Sequence, residues 1–407
     1  MAVVLACATA AAETTWQPRV SAGFDTYVHT YHLAYDDTTE SVSESVITAE
    51  IEGRSARRST HRWRLRAMAS GGSELFRQLL DGTYRWRPGG TQRLRCDVDW
   101  LGRQYRGDTD YALASDNHEG RAELRAYPWT GESAGLDVRW RGRFMDYRTP
   151  SSLQQDYREH GGGAFLTSQG LGLTAWRMGG RITSRAYPDS SAIDRDVLAV
   201  EGDLDLTRGD GHLWFYHRTE RRLTEHEEVR PSAWSHWSEL QGAWPAGRGR
   251  VVTNVGSEVW RYDRQDVVWF NAWRLDSELG YGWGDPLAAR WQTLLTVERL
   301  GATEAAESYS QVGLRGSVES FSGAVTGLLE LEYGHRWYDD TAEATGVDDI
   351  VLTYTDFSYL EIWLMATWSW SPHLSLELTA SYQPEQHTEQ DDNTALGYGS
   401  VQLVWRP

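Results

Sequence analysis

The feature that most limits what this chain can fold into is an alternation of apolar and polar residues with a period of two, repeated from end to end. Leu94, Cys96, Val98 and Trp100 alternate with Arg95, Asp97 and Asp99. Leu136, Val138, Trp140 and Phe144 alternate with Asp137, Arg139, Arg141 and Arg143. Leu198, Val200, Leu204 and Leu206 alternate with Glu201, Asp203 and Asp205, and Leu360, Ile362, Leu364 and Trp368 with Glu361, Trp363 and Met365. Successive side chains of an extended chain point to opposite faces, so this period marks strands with one apolar and one polar face. The polar face is often charged at every position, which fits a water-filled interior better than the outside of a sandwich. Trp (21) and Tyr (20) are abundant and Met (5) is scarce, a usage that favours strands over helices.

The connections carry the second signal. One set is tight: Arg87-Pro88-Gly89-Gly90, Ser168-Gln169-Gly170, Arg208-Gly209-Asp210-Gly211, Pro245 to Gly249, Gly284-Asp285-Pro286, Ser322-Gly323 and Ser371-Pro372-His373. The other set is longer and mostly polar or acidic: 108–119, 149–156, 220–231, 339–354 and 384–393. Short and long connections take turns. A sandwich has no reason to sort loop length by parity, whereas a membrane barrel has short turns at one end and longer loops at the other. Trp86, Trp129, Trp244, Trp283, Trp370 and Trp405 stand just before a short turn or the C-terminus, and Trp63, Trp214 and Trp291 just after one. Clustering at one end predicts an aromatic girdle at a membrane interface. The mean hydropathy of −0.57 does not oppose this, because half of each barrel strand faces a polar lumen. No stretch approaches the roughly 18 apolar residues of a membrane helix.

The fold class predicted is therefore all-β: a closed antiparallel transmembrane β-barrel of about 18–20 strands in an up-and-down meander. Residues 1–12 (MAVVLACATAAA) read as a signal-peptide-like segment with Ala10-x-Ala12 as the processing site, and residues 13–407 as one barrel domain. Cys96 is then the lone thiol of the mature chain, which allows neither a disulfide nor a metal cluster within it.

With its signal-like start, alternation, loop parity and last strand, the chain resembles bacterial outer-membrane porin-type barrels. In that last strand Gly397, Gly399, Val401, Leu403 and Trp405 share one face, as in the C-terminal signal read by the barrel-assembly machinery, although Arg406-Pro407 follow the terminal aromatic here. The resemblance implies an outer-membrane location with both termini periplasmic. It also implies the lipid bilayer and the assembly machinery as partners.

If the apolar phase faces lipid, the opposite phase lines the lumen. The first half supplies a basic wall: Arg64, Arg66, Arg85, Arg95, Arg125, Arg139, Arg141, Arg143, Arg177 and Arg181. The second half supplies an acidic wall: Glu201, Asp203, Asp205, Asp276, Glu278, Glu330 and Glu332. The asymmetry is visible in the totals, since residues 1–200 hold 25 Arg and 25 acids while residues 201–407 hold 15 Arg and 33 acids. There is no Lys, and the net charge of −18 argues against a nucleic-acid partner. Two readings of the arginines compete: a field that favours anionic solutes, and plain charge pairing with neighbours such as Asp97, Asp99, Glu123 and Asp137. Trp260, Tyr262, Tyr309 and Trp363 are also expected to project inward.

Nucleophile-elbow, P-loop, dinucleotide-binding and zincin motifs are missing from the sequence. His29 and His32 beside Asp36 and Asp37 are the one set resembling a metal or barrel-protease site, and such sets arise often by chance. No cofactor, metal or catalytic residue is assigned. The function expected is a porin-like channel for passive diffusion of small hydrophilic, anionic or sugar-like solutes. An export conduit for an acidic polysaccharide is the alternative, and a barrel enzyme, adhesin or scaffold ranks below both.

Overall fold

The computed structural model describes residues 14–33, 36–55, 60–72, 75–89, 92–105, 116–131, 133–149, 155–168, 174–265, 269–285, 288–340, 343–345, 351–353, 355–388 and 393–406. The proposed signal segment therefore lies outside the described residues. The first nine strands are β1 (Thr15–Leu33), β2 (Asp36–Arg54), β3 (His61–Gly71), β4 (Leu75–Gly89), β5 (Gln92–Tyr105), β6 (Asn117–Thr130), β7 (Gly135–Tyr147), β8 (Tyr157–Ser168) and β9 (Thr174–Ala186). The next eight are β10 (Arg195–Arg208), β11 (Gly211–Thr224), β12 (Ala233–Ala246), β13 (Gly249–Tyr262), β14 (Ala272–Asp285), β15 (Ala289–Ala302), β16 (Tyr309–Ser320) and β17 (Val325–Tyr338). A separate two-stranded hairpin, β18 (Glu343–Thr345) and β19 (Val351–Thr353), follows, and β20 (Phe357–Ser369), β21 (Leu374–His387) and β22 (Thr394–Trp405) complete the chain.

Every barrel strand pairs antiparallel with its neighbour in sequence, and β17 pairs with β20 across the hairpin. The ring closes where β1 meets β22, from Val20 opposite Trp405 to Tyr31 opposite Thr394. Twenty strands thus form one sheet without an edge. Closure leaves no open row of backbone N–H and C=O groups at a sheet edge, which is what allows strands to cross a lipid layer at all.

Burial decides which face is inside. Side chains on the inner face of a cylinder converge, and those on the outer face splay apart. Phe165, Asp137, Ser375 and Val404 are at most 2% exposed, and all share the phase of the charged residues. Ile47, Ile182 and Val200 are at least 60% exposed and share the apolar phase. The apolar face is therefore the outer one.

From β4 onward the two ends differ as the loop lengths predict, whereas β1–β2 and β3–β4 join through two and three residues at the long-loop end and β2–β3 through six at the other. β10 and β11 join through Gly209 and Asp210 alone, and β12 and β13 through Gly247 and Arg248. Gly209 and Gly247 have φ of 59° and 57°, a conformation that favours glycine in two-residue hairpins. The longer connections 225–232, 263–271 and 339–356 lie at the other end. The first strand starts and the last strand ends at the short-turn end, as an even strand count requires. Strands run past the loop limits read from the sequence: β6 begins at Asn117, β11 continues to Thr224 and β21 to His387, against loops expected at 108–119, 220–231 and 384–393.

Outer-face tryptophans measure the apolar band. Trp234 and Trp244 lie ten residues apart on β12, as do Trp273 and Trp283 on β14. At about 3.3 Å per residue and a strand tilt of about 40°, that is about 25 Å along the barrel axis. This equals the height of the band between the aromatic girdles of a membrane barrel. Leu279 is exposed between Trp273 and Trp283. Leu279→Arg should cost about 2–4 kcal/mol of folding free energy in lipid, read from urea unfolding in liposomes. A loss under about 0.5 kcal/mol would mean that this face does not meet lipid.

Candidate functional site

The register places each residue expected on the basic wall on the inner face, and all but Arg85 have a carboxylate partner among the described residues. Arg64 donates to Glu52 at 3.1 Å, and Arg66 grips both oxygens of Glu50 at 2.9 and 3.0 Å. Arg95 donates to Asp97 at 3.0 Å, and Arg125 pairs with Glu123. Arg139 donates through Nε to Asp137 at 2.8 Å, Arg141 to Glu159 at 2.9 Å and Arg143 to Glu119 at 2.8 Å. Arg177 reaches Asp203 at 2.7 Å, and Arg181 lies 3.5 Å from Glu220. Arg85 stands in one row with Arg62 and Arg95. Arginines outnumber carboxylates on the inner face from β3 to β9, so pairing leaves this arc net positive.

The acidic residues line the remaining arc. Glu201 accepts from Arg177 and from the Tyr216 hydroxyl at 3.2 Å, and Asp205 lies 3.0 Å from His212. Asp276 sits in one row with Glu298 and with Gly256, where an added Cβ would come within 2.4 Å of the carboxylate. Glu278 takes Arg315 at 2.8 Å, and Glu330 lies 3.7 Å from the same arginine. Glu332, 5% exposed, is the most fully partnered: Arg315 donates at 2.6 Å, Tyr359 at 2.7 Å and Thr296 at 3.1 Å. Gly313 makes room for this cluster, since a Cβ there would fall within 3 Å of Thr296, Glu332 and Tyr359 at once.

A recess of about 200 Å³ opens in the basic arc, lined by Arg125, Arg139, Arg141, Arg181, Phe165 and Glu201. Gly161 and Gly163 face inward between Arg141 and Arg139 on one side and Thr183 and Arg181 on the other. These glycines keep the wall low there. A Cβ on Gly163 would come within 3.0 Å of the Arg181 Cβ. Arg139 and Arg177 also stack over Phe165 at 4.8 and 5.0 Å, which fixes both guanidinium planes.

Trp86, Trp129, Trp244, Trp283, Trp370 and Trp405 are all exposed on the outer face near the short-turn end. Trp214 does not join them: it pairs with Asp205 and Gln241, faces inward and stacks on Tyr216. It stands next to a turn, but its phase is that of the charged residues. Trp234, Trp273 and Trp337 form a second outer ring at the long-loop end that the turn-adjacent reading passed over. Trp260, Tyr262, Tyr309 and Trp363 face inward.

Inner-face residues also missed are Arg195 and Arg222, which applying the same parity to β10 and β11 identifies. Arg230, on a loop, has no periodic signal. Among the described residues, no group of three or more His, Cys, Asp or Glu side chains could hold a metal ion. The His29, His32, Asp36 and Asp37 side chains lie outside those described. Cys96 falls on the outer face, opposite Tyr84 and Leu124.

No protein-family model matches the chain, and no curated protein matches it. Solved structures do. A BenF-like porin from Pseudomonas fluorescens Pf-5 aligns over 96% of this chain and 99% of its own, with 8% identity and a TM-score of 0.52. The siderophore receptor PirA from Pseudomonas aeruginosa aligns over 97% of this chain and 81% of its own, with 10% identity and a TM-score of 0.53. The copper transporter OprC aligns over 97% and 80%, with 9% identity and a TM-score of 0.56. At such identities the likeness concerns the fold alone: that of the outer-membrane β-barrels, which porins and receptors share.

Proposed function

We propose that this protein is an outer-membrane channel through which small hydrophilic solutes diffuse passively, anionic and carboxylated ones more readily than cations. The observation that carries the reading is a closed ring whose concave face holds a net-positive arc opposite a net-negative one. Twenty strands about 4.8 Å apart and tilted about 40° give a backbone diameter of about 40 Å. Side chains reaching in from both sides leave roughly 25 Å open. Among the described residues no strand packs against one across the ring. The likeness in fold to a BenF-like porin is in keeping with a channel. On this reading the short turns and both termini face the periplasm.

A bore this wide limits what charge can achieve. The Debye length is about 8–10 Å at 0.1–0.15 M salt, so only solutes near the arginine arc feel it. Purified protein in planar bilayers should give large ohmic steps with a modest anion preference that fades at 1 M salt, where screening shortens to about 3 Å. Absence of steps from folded protein overturns the channel reading. The arginine arc also favours the alternative, export of an acidic polysaccharide. In that case a long polyuronate should block the current, whereas monomeric uronic acid should pass.

A further inference from the structure

Most arginines of the lumen wall hold a carboxylate; among the described residues, Arg195 and Arg222 on the wall and Arg230 in the adjoining loop at the long-loop mouth do not. Arg195 opens β10 on the inner face, directly opposite Arg185 on β9. Arg222 lies on the inner face of β11, two residues along from Thr224, which is the direct partner of Arg195. That diagonal is about 7–8 Å. Arg230, in the loop between β11 and β12, is an electrostatic neighbour of both Arg195 and Arg222 and is hydrogen-bonded to Tyr187. Five described carboxylates of the surrounding strands and loops are engaged elsewhere. Glu159 holds Arg185 and Arg141, and Glu220 faces Arg181 and Arg218. Asp194 accepts the Tyr187 backbone N–H, Glu227 accepts from Ser232, and Asp263 holds Arg221.

Three guanidinium groups with no counter-charge among the described residues repel one another, and burial makes that worse. The Nε atoms of Arg222 and Arg230 are shut off from solvent and have no hydrogen-bond partner. Arg230 is pushed below its ordinary pKa, first by burial and then by Arg222. The chain holds it in place nonetheless: its guanidinium stacks over Trp269 at 5.5 Å. A multivalent oxyanion would supply what is missing. Guanidinium forks match phosphate oxygens in pairs, and three forks offer more donors than one carboxylate can accept.

We propose that Arg195, Arg222 and Arg230 form a binding site at the long-loop mouth for a soluble phosphate-bearing anion. Arg195 and Arg222 face the lumen, while Arg221 and Leu223 on either side of Arg222 face outward, so a lipid headgroup is not the occupant. The site stands apart from the channel reading, because it is defined by binding and not by conduction.

The test is calorimetric titration of sodium pyrophosphate into refolded protein in dodecyl maltoside, a detergent without phosphate. The wild type should bind one equivalent. Arg222→Gln with Arg230→Gln should weaken binding at least tenfold, and Arg141→Gln, in the wall below, less than twofold. A second readout guards against a variant that merely misfolds. Without anion, Arg222→Gln should melt at the wild-type temperature or above, because a repulsion is removed, while the rise in melting temperature on adding pyrophosphate should shrink. No binding by the wild type, equal affinity in the double variant, or loss of affinity in Arg141→Gln as large as in the double variant each overturns the site. Competition by dihexanoyl phosphatidylglycerol would assign it to a lipid headgroup and also overturn the proposal.

Discussion

Replacing Arg139, Arg141 and Arg143 together by Gln should lower the anion-to-cation permeability ratio about two- to threefold in 0.1 M salt and leave the barrel folded. The three share the inner face of β7, each bound to a carboxylate: Asp137, Glu159 and Glu119. Removing the cations leaves those carboxylates in place, so the stretch turns from balanced to acidic instead of merely losing a surplus. Glu159 keeps Arg185, which limits the damage on that side. Asp137 has no such reserve: it is 2% exposed, and only Arg139 pairs with it among the described residues. Gln is chosen because it still donates a hydrogen bond to that carboxylate. Reversal potentials across a salt gradient, compared at 0.1 M and 1 M, give the measurement. An unchanged ratio at low salt would mean that these arginines only neutralise the wall, and the anion preference would have to be abandoned.

A large loss of stability is expected at Glu332. Truncation to Ala removes the acceptor shared by Arg315, Tyr359 and Thr296 and leaves a partly buried guanidinium with less compensation. Breaking a buried pair from one side costs about 3–5 kcal/mol. Arg315 retains Glu278, so the lower end of that range applies. Glu361 stands directly opposite Glu332 on β20 but is exposed, and Glu361→Ala should change stability by no more than about 0.5 kcal/mol. Urea unfolding followed by tryptophan fluorescence compares the two. Similar losses for both would show that the cluster around Glu332 adds nothing beyond an ordinary wall charge.

The alternation made the fold readable because one physical cause, lipid outside and water inside, acts on every strand. Face assignments such as Leu198 out and Glu201 in follow from phase alone. Strand ends were harder, because the apolar signal stops where lipid stops while the hydrogen-bonded ladder continues. Thr224 and His387 lie in that extra stretch. Pairing divides in the same way. Arg95 with Asp97, Arg125 with Glu123 and Arg139 with Asp137 are two residues apart on one strand and visible in the sequence. Arg66 with Glu50, Arg143 with Glu119 and Arg141 with Glu159 depend on the register between strands, which no single strand encodes. The orphan arginines at the mouth were hidden for a related reason, since lacking a partner is a property of the assembled wall.

Several ion pairs of that wall skip a strand. Arg19 on β1 reaches Glu377 on β21, Arg181 on β9 faces Glu220 on β11, and Arg315 on β16 reaches Glu278 on β14. Each lies on the concave side, like the tie beam beneath an arch. Flattening the cylinder at these places would lengthen the tie and pull charge from charge. The bore is then held close to round at each tie, and no breathing of the wall can narrow it cheaply. Changes in current through such a tube must arise in the loops at its mouth, so flicker should respond to loop deletions and not to wall substitutions.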